Sequence, residues 1–126
     1  MRYLMALLLL LGCTSDETLT GYAPHGVAFT LSRVNDQPAN IAATLTLSAN
    51  GAIRGQGPCN GYFSQITAPY PWFELDAIAA TRRACPNLAA ETQYFDLLKS
   101  MTLAEVAGGT ILLSNDAGQS LEFKTP

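Results

Sequence analysis

Positive charge is scarce in this sequence. Seven Lys and Arg against ten Asp and Glu in 126 residues give a formal net charge of −3, and only 13% of the chain is charged. Contacts to phosphate backbones need Lys and Arg, and no basic stripe or polybasic segment occurs, so nucleic acid is not expected as a partner. There is one histidine, His25, set in a polar lead-in. Hydrolase chemistry of the Ser-His-Asp kind would need it placed beside a nucleophile, and no nucleophile-elbow motif is present. The three cysteines, Cys13, Cys59 and Cys85, never form a Cys-x-x-Cys pair, which argues against a redox couple. Long apolar runs are missing too. The longest candidate, Tyr3 to Leu11, has nine residues, or roughly 14 Å as a helix, less than half of a ~30 Å bilayer core. Internal repeats and low-complexity tracts are also lacking.

What that short apolar run does offer is an export signal. Met1-Arg2 supplies positive charge, Tyr3–Leu11 the apolar region, and Leu10-Leu11-Gly12-Cys13 closes it. This ending resembles the lipobox of bacterial lipoproteins, in which the Cys thiol takes a diacylglyceryl group and the chain is cut before it. The resemblance implies a signal peptide over residues 1–12, a lipidated Cys13 (with palmitate among the acyl groups), and a tether over residues 13–25. Each buried CH₂ contributes about 0.8 kcal/mol of membrane affinity, so two or three acyl chains anchor stably. Thr14, directly after the Cys, is not an aspartate. In a Gram-negative host that favours the outer membrane, facing the periplasm.

With Cys13 assigned to lipid, Cys59 and Cys85 are an even remainder in an oxidising compartment, which reads as a disulfide. It would close a loop of about 27 residues and contribute roughly 3–4 kcal/mol on the loop-entropy account. Structural zinc needs four Cys or His ligands, and two Cys with one distant His do not supply them. No metal and no cofactor is expected.

Residues 26–126 carry the periodicity of one small β-rich domain. Val27, Phe29 and Leu31 alternate within Gly26–Val34, and Leu45 and Leu47 alternate within Ala43–Ala49. Asn35-Asp36-Gln37-Pro38 is turn chemistry, and Asn50-Gly51 is a strong hairpin signal before a return strand at Ile53–Gly57. Gly55, Gly57 and Gly61 around Cys59 imply close backbone approach or positive φ. Extended segments are expected at Tyr62–Thr67 and Trp72–Ile78, with a turn at Ala68-Pro69-Tyr70-Pro71 between them. A single helix is expected at about Leu88–Met101, with Asn87 as N-cap and Tyr94, Leu97, Leu98 and Met101 on its inner stripe. Strands at Thr102–Val106, Thr110–Leu113 and Gln119–Lys124 complete a mainly β fold, a small antiparallel barrel-like arrangement of about seven or eight strands with one helix.

Gly55-Gln56-Gly57-Pro58-Cys59-Asn60-Gly61-Tyr62, then Thr81-Arg82-Arg83-Ala84-Cys85-Pro86, then Glu91 with Phe95 resemble the META domain family, the HslJ-like heat-shock lipoproteins, over about residues 27 to 124. Phe29 stands where members usually have Trp, Pro58 where many have Gly, and Arg83 where Met is frequent. The resemblance implies a small β barrel-like fold and an exported or lipidated protein tied to envelope stress, motility or antibiotic tolerance. It brings no catalytic residues.

Four residues are candidates for binding: Asn60, Tyr62, Trp72 and Arg82. Asn60 more readily serves the local backbone, and Tyr62, Tyr70 and Trp72 more readily pack or form a rim than line a pocket. Arg82 could pair with Glu91, Glu74 or Asp76, or meet an anion, whereas Arg83 is expected in solvent. Glu74 and Asp76, on one strand face, suit a solvated surface better than glycoside hydrolysis. The expectation is therefore a non-enzymatic envelope lipoprotein with an unidentified protein or small-molecule partner. The alternatives are a small apolar ligand in the barrel interior, which packing by Leu45, Leu47, Ile53, Ile111 and Leu121 would exclude, and an inhibitor presenting the Ala68–Trp72 loop.

Overall fold

The computed structural model describes residues 15–126, so the segment expected to be a signal peptide, residues 1–12, and Cys13 lie outside the described residues. Nine strands form one antiparallel sheet: β1 (Ala28–Val34), β2 (Gln37–Pro38), β3 (Thr44–Leu47), β4 (Ala52–Gln56), β5 (Gly61–Gln65), β6 (Ala79–Ala80), β7 (Leu103–Ala107), β8 (Thr110–Ser114) and β9 (Ser120–Lys124). The single α-helix among the described residues, α1, spans Leu88–Ser100. The sheet order is β6-β5-β4-β3-β1-β9-β8-β7, with β2 paired to β1. The fold is mainly β, as the alternation predicts, and the two strands hardest to foresee, β2 and β6, are two-residue pieces.

Turn chemistry sets the hairpins. Asn35 and Asp36 both adopt positive φ (51° and 64°), joining β1 to β2. Asn50 (φ 59°) and Gly51 (φ 84°) do the same between β3 and β4, the backbone twist a tight hairpin needs. Leu47 then pairs with Ile53 and Thr46 with Arg54.

The sheet is not closed, so barrel-like is a loose description. β6 and β7 are its edges. The expected strand at Trp72–Ile78 makes only isolated bridges, Ile66 to Leu75 and Trp72 to Leu103. Pro69 and Pro71 have no N–H to give to a ladder. Single hydrogen bonds, Phe73 N–H to the Thr102 carbonyl (2.8 Å) and Ala104 N–H to the Pro71 carbonyl (2.8 Å), stitch this segment to β7.

The concave face is filled with side chains. Phe29, Leu45, Leu47, Ile111, Leu113, Leu121 and Phe123 are completely buried, with Ile53 nearly so. Burying each of these side chains stabilises by about 1.5–3 kcal/mol. The helix covers them with Tyr94 and Leu98, joined by its C-cap residue Met101, while Leu97 and Phe95 are half-buried. Asn87 occupies the N-cap position, but its side chain makes no capping bond. Its carbonyl accepts from Glu91 N–H at 3.0 Å.

Residues 15–25, read from sequence as tether and lead-in, include Leu19 and Thr20, both fully buried. Asp16 holds this segment to the β3–β4 turn. Its carboxylate accepts from Thr18 N–H (3.0 Å), the Thr18 and Thr20 hydroxyls, and Asn50 N–H (3.0 Å). Burial pushes the Asp16 carboxyl up, but these donors outweigh it and hold it below its ordinary value.

Candidate functional site

The three sequence motifs meet at one place, the end of the sheet under the first turn of α1. Glu91 sits in that turn, only 3% exposed. Its Oε2 accepts from Cys59 N–H (2.7 Å) and Asn60 N–H (2.6 Å), and its Oε1 accepts from Asn60 Nδ2 (2.7 Å). Asn60, 2% exposed, turns its own Oδ1 the other way, accepting from the Thr81 hydroxyl (3.1 Å) and Arg83 N–H (2.6 Å). Asn60 and Glu91 therefore join the β4–β5 connection, the segment before Cys85 and the helix. Cys59 and Cys85 are bridged beside them, with Cα atoms 6.1 Å apart.

The glycines serve this geometry by close approach and not by positive φ. A Cβ on Gly57 would lie 2.7 Å from Glu91 Oε2, and one on Gly55 would lie 2.0 Å from the Thr44 carbonyl oxygen. Past Gly55 the Tyr62 hydroxyl reaches out of the core to donate to that same carbonyl (2.7 Å) while facing the Tyr94 hydroxyl (2.8 Å). Burial pushes both phenols well above their ordinary values.

Chemically the site is occupied by its own bonds. Burial pushes the Glu91 carboxyl up, and the three donors override it, holding the group below its ordinary value. A carboxylate kept ionised and saturated with donors is a poor proton acceptor. Among the described residues, every buried side-chain nitrogen and oxygen has a hydrogen-bond partner. Among them, too, no group of three or more His, Cys, Asp or Glu side chains is placed to hold a metal ion.

The sequence candidates are scattered. Asn60 is at the centre of the junction. Tyr62 is 3% exposed and packs edge-on against Tyr94 and Phe95 (centroids 5.8 and 5.2 Å). Trp72, 58% exposed, flanks a separate shallow groove of about 410 Å³ with Pro69, Phe73 and Lys99. Arg82 and Arg83 are exposed and, with Thr81 and Phe95, edge an open groove of about 420 Å³ above Glu91. The suggested Arg82–Glu91 pair does not form. Among the described residues the ion pair present is Lys124–Glu122, at 3.4 Å. Glu74 and Asp76 are both exposed, on the segment without a regular strand. His25 is exposed, its Nε2 donating to the Thr20 carbonyl. Sequence reasoning undervalued Glu91. Its signal was its fixed offset from Phe95 in the third motif, which marks an inward-turned acid on a helix whose other inward residues are apolar.

Because the Asn60 and Glu91 bonds tie the same segments as the disulfide, reduction is expected to leave the fold in place. Far-UV circular dichroism should be unchanged while urea unfolding shows a loss of about 3 kcal/mol from the freed unfolded chain. Unfolding on reduction alone would show that the hydrogen-bonded junction does not hold without the bridge.

A family model for the META domain matches residues 19–126. Among solved structures, the chain is similar to an NMR structure of a protein from Burkholderia xenovorans, with TM-score 0.62, 23% identity, and 81% of this chain and 83% of that one covered. It is also similar to a crystal structure of a DUF4847 family protein from Bacteroides vulgatus, with TM-score 0.55, 12% identity, and 65% and 57% covered. At these identities the likeness is one of fold. No curated protein matches the chain.

Proposed function

The chain belongs to the META domain family, and from that premise we propose that it is a non-enzymatic lipoprotein of the cell envelope. In this reading it is held to the membrane by a lipid on Cys13 and acts by binding or scaffolding in a role linked to envelope stress. In a Gram-negative host it stands on the outer membrane, facing the periplasm. The observation that carries this reading is the Asn60–Glu91 junction. The most motif-rich part of the chain is spent on joining three segments, with no free base or nucleophile beside it. The filled interior supports the same reading against an apolar ligand held inside, since Leu45, Leu47, Ile53, Ile111 and Leu121 occupy that space. Exposed surface available for recognition includes the Arg82–Arg83 rim and the Ala68–Trp72 loop with its outward Trp72.

The test is Cys13→Ser in the exporting host. The unsubstituted chain is expected in the membrane fraction with labelled palmitate incorporated, and the variant in the soluble fraction without label. Equal palmitate incorporation in the two would rule out Cys13 as the lipid site, and membrane retention of an unlabelled variant would require a different anchor. Co-purification with the anchored form would then identify the partner.

A further inference from the structure

The lead-in segment runs beside Tyr70, a half-buried ring with the exposed Tyr22 stacked on it and the exposed Trp72 two residues away. Glu17 carbonyl accepts from Tyr70 N–H at 2.7 Å. Tyr22 stacks on Tyr70, with ring centroids 4.5 Å apart and planes 21° apart. Trp72 follows two residues on, its N–H bonded to the Pro69 carbonyl at 2.8 Å. Tyr22 and Trp72 are 55% and 58% exposed, two of the four exposed large apolar side chains among the described residues, with Phe63 and Leu88. Tyr and Trp pair an apolar ring with a polar tip, which is why they settle at membrane–water interfaces.

Covalent length fixes how far this patch can be from Cys13. Asp16 is pinned to Asn50 N–H at 3.0 Å, and only three residue steps separate it from Cys13, a contour of at most about 11 Å. The other end of the domain faces away. Gln65, beside Asn50 through its side-chain amide, ends β5, and Asn60, at the junction with Glu91, immediately precedes its other end, about 16 Å away along the strand direction.

We infer that the Tyr22–Tyr70–Trp72 face rests on the phospholipid bilayer, with its rings at the headgroup level and the Arg82–Arg83 end directed away from the membrane. This rests on the lipid anchor at Cys13. The anchor brings the face within reach, and the rings then fix the orientation of a domain that would otherwise turn freely on its tether.

Trp72 is the single tryptophan, so its fluorescence reports on this face alone. The acylated protein, as purified from the exporting host, is reconstituted into phosphatidylcholine vesicles with brominated acyl chains. Flotation and mass spectrometry verify the anchor separately. In the vesicle-bound protein Trp72 emission should shift to the blue and be quenched about twofold relative to unbrominated vesicles, as an interfacial indole requires. A Trp72→Phe, Leu88→Trp chain moves the probe to Leu88, at the Glu91 end, and its emission should not be quenched. Acylated, floating protein with unquenched Trp72 overturns the inference and leaves the anchor intact. Equal quenching at positions 72 and 88 overturns the orientation. A chain without acyl mass overturns the anchor, and this inference with it.

Discussion

Replacing Glu91 by leucine is expected to cost more than about 4 kcal/mol, because it strands three buried donors at about 1–3 kcal/mol each. The donors are Cys59 N–H, Asn60 N–H and Asn60 Nδ2. Glu91→Gln separates charge and acceptor loss from loss of shape. The Gln oxygen can serve the two backbone N–H groups, but its NH₂ then faces the NH₂ of Asn60. Flipping Asn60 does not help, since its amide would then meet Arg83 N–H, a donor. The conflict moves but persists, and about 2–3 kcal/mol is expected for Gln. A domain of this size has about 5–15 kcal/mol in total, so the Leu variant should be marginal or unfolded. Urea unfolding by circular dichroism measures both, and a Gln variant as stable as the parent would show that the junction tolerates mismatched donors. The pH dependence has a definite sign. The carboxyl is held below its unfolded value, so its stabilisation is complete above the unfolded pKa and fades as pH falls through the folded one. Glu91→Gln should flatten that acid limb.

Gly55→Ala is expected to be comparably severe, more than about 4 kcal/mol, and for a different reason: a methyl group driven into backbone. Its Cβ would lie 2.0 Å from the Thr44 carbonyl oxygen and 2.8 Å from the Tyr62 hydroxyl. A flexible side chain could step aside, and a carbonyl in β3 cannot without breaking the Thr46–Arg54 and Leu47–Ile53 pairing beyond it. Gly57→Ala, which meets only the Glu91 carboxylate and a neighbouring carbonyl, should cost less. Adding Tyr62→Phe to Gly55→Ala should not restore stability, because the clash with Thr44 remains. Restoration would place the strain on the phenol instead. Thermal unfolding of the three variants decides it.

These residues show how far the sequence reaches. Alternation in Phe29 and Leu31, and in Leu45 and Leu47, located the inner face, because period two has one physical meaning in a half-buried strand. Asn50-Gly51 announced its hairpin for an equally local reason. The glycines around Cys59 announced close approach without saying what approached, since Thr44 and Glu91 are 11 and 34 positions from the glycines they crowd. The burial of Glu91 was hidden for the same reason. An acid on a helix reads as solvent-facing unless its donors, here on another segment, are known. The segment 72–78 misled because its apolar residues alternate like a strand while Pro69 and Pro71 leave it only isolated bridges.

The stitching of that segment to β7 bears on behaviour at high density. A bare sheet edge offers its N–H groups to any passing strand, and that is how folded proteins recruit one another into aggregates. Here the outward N–H groups of Ala104 and Val106 are already taken, by the Pro71 carbonyl and the Tyr70 hydroxyl. The opposite edge, β6, is only two residues long. β2, off the main order and paired only with β1, is equally short. Many copies crowded in a two-dimensional layer would collide far more often than in solution, and among the described residues each edge there is either stitched or only two residues long.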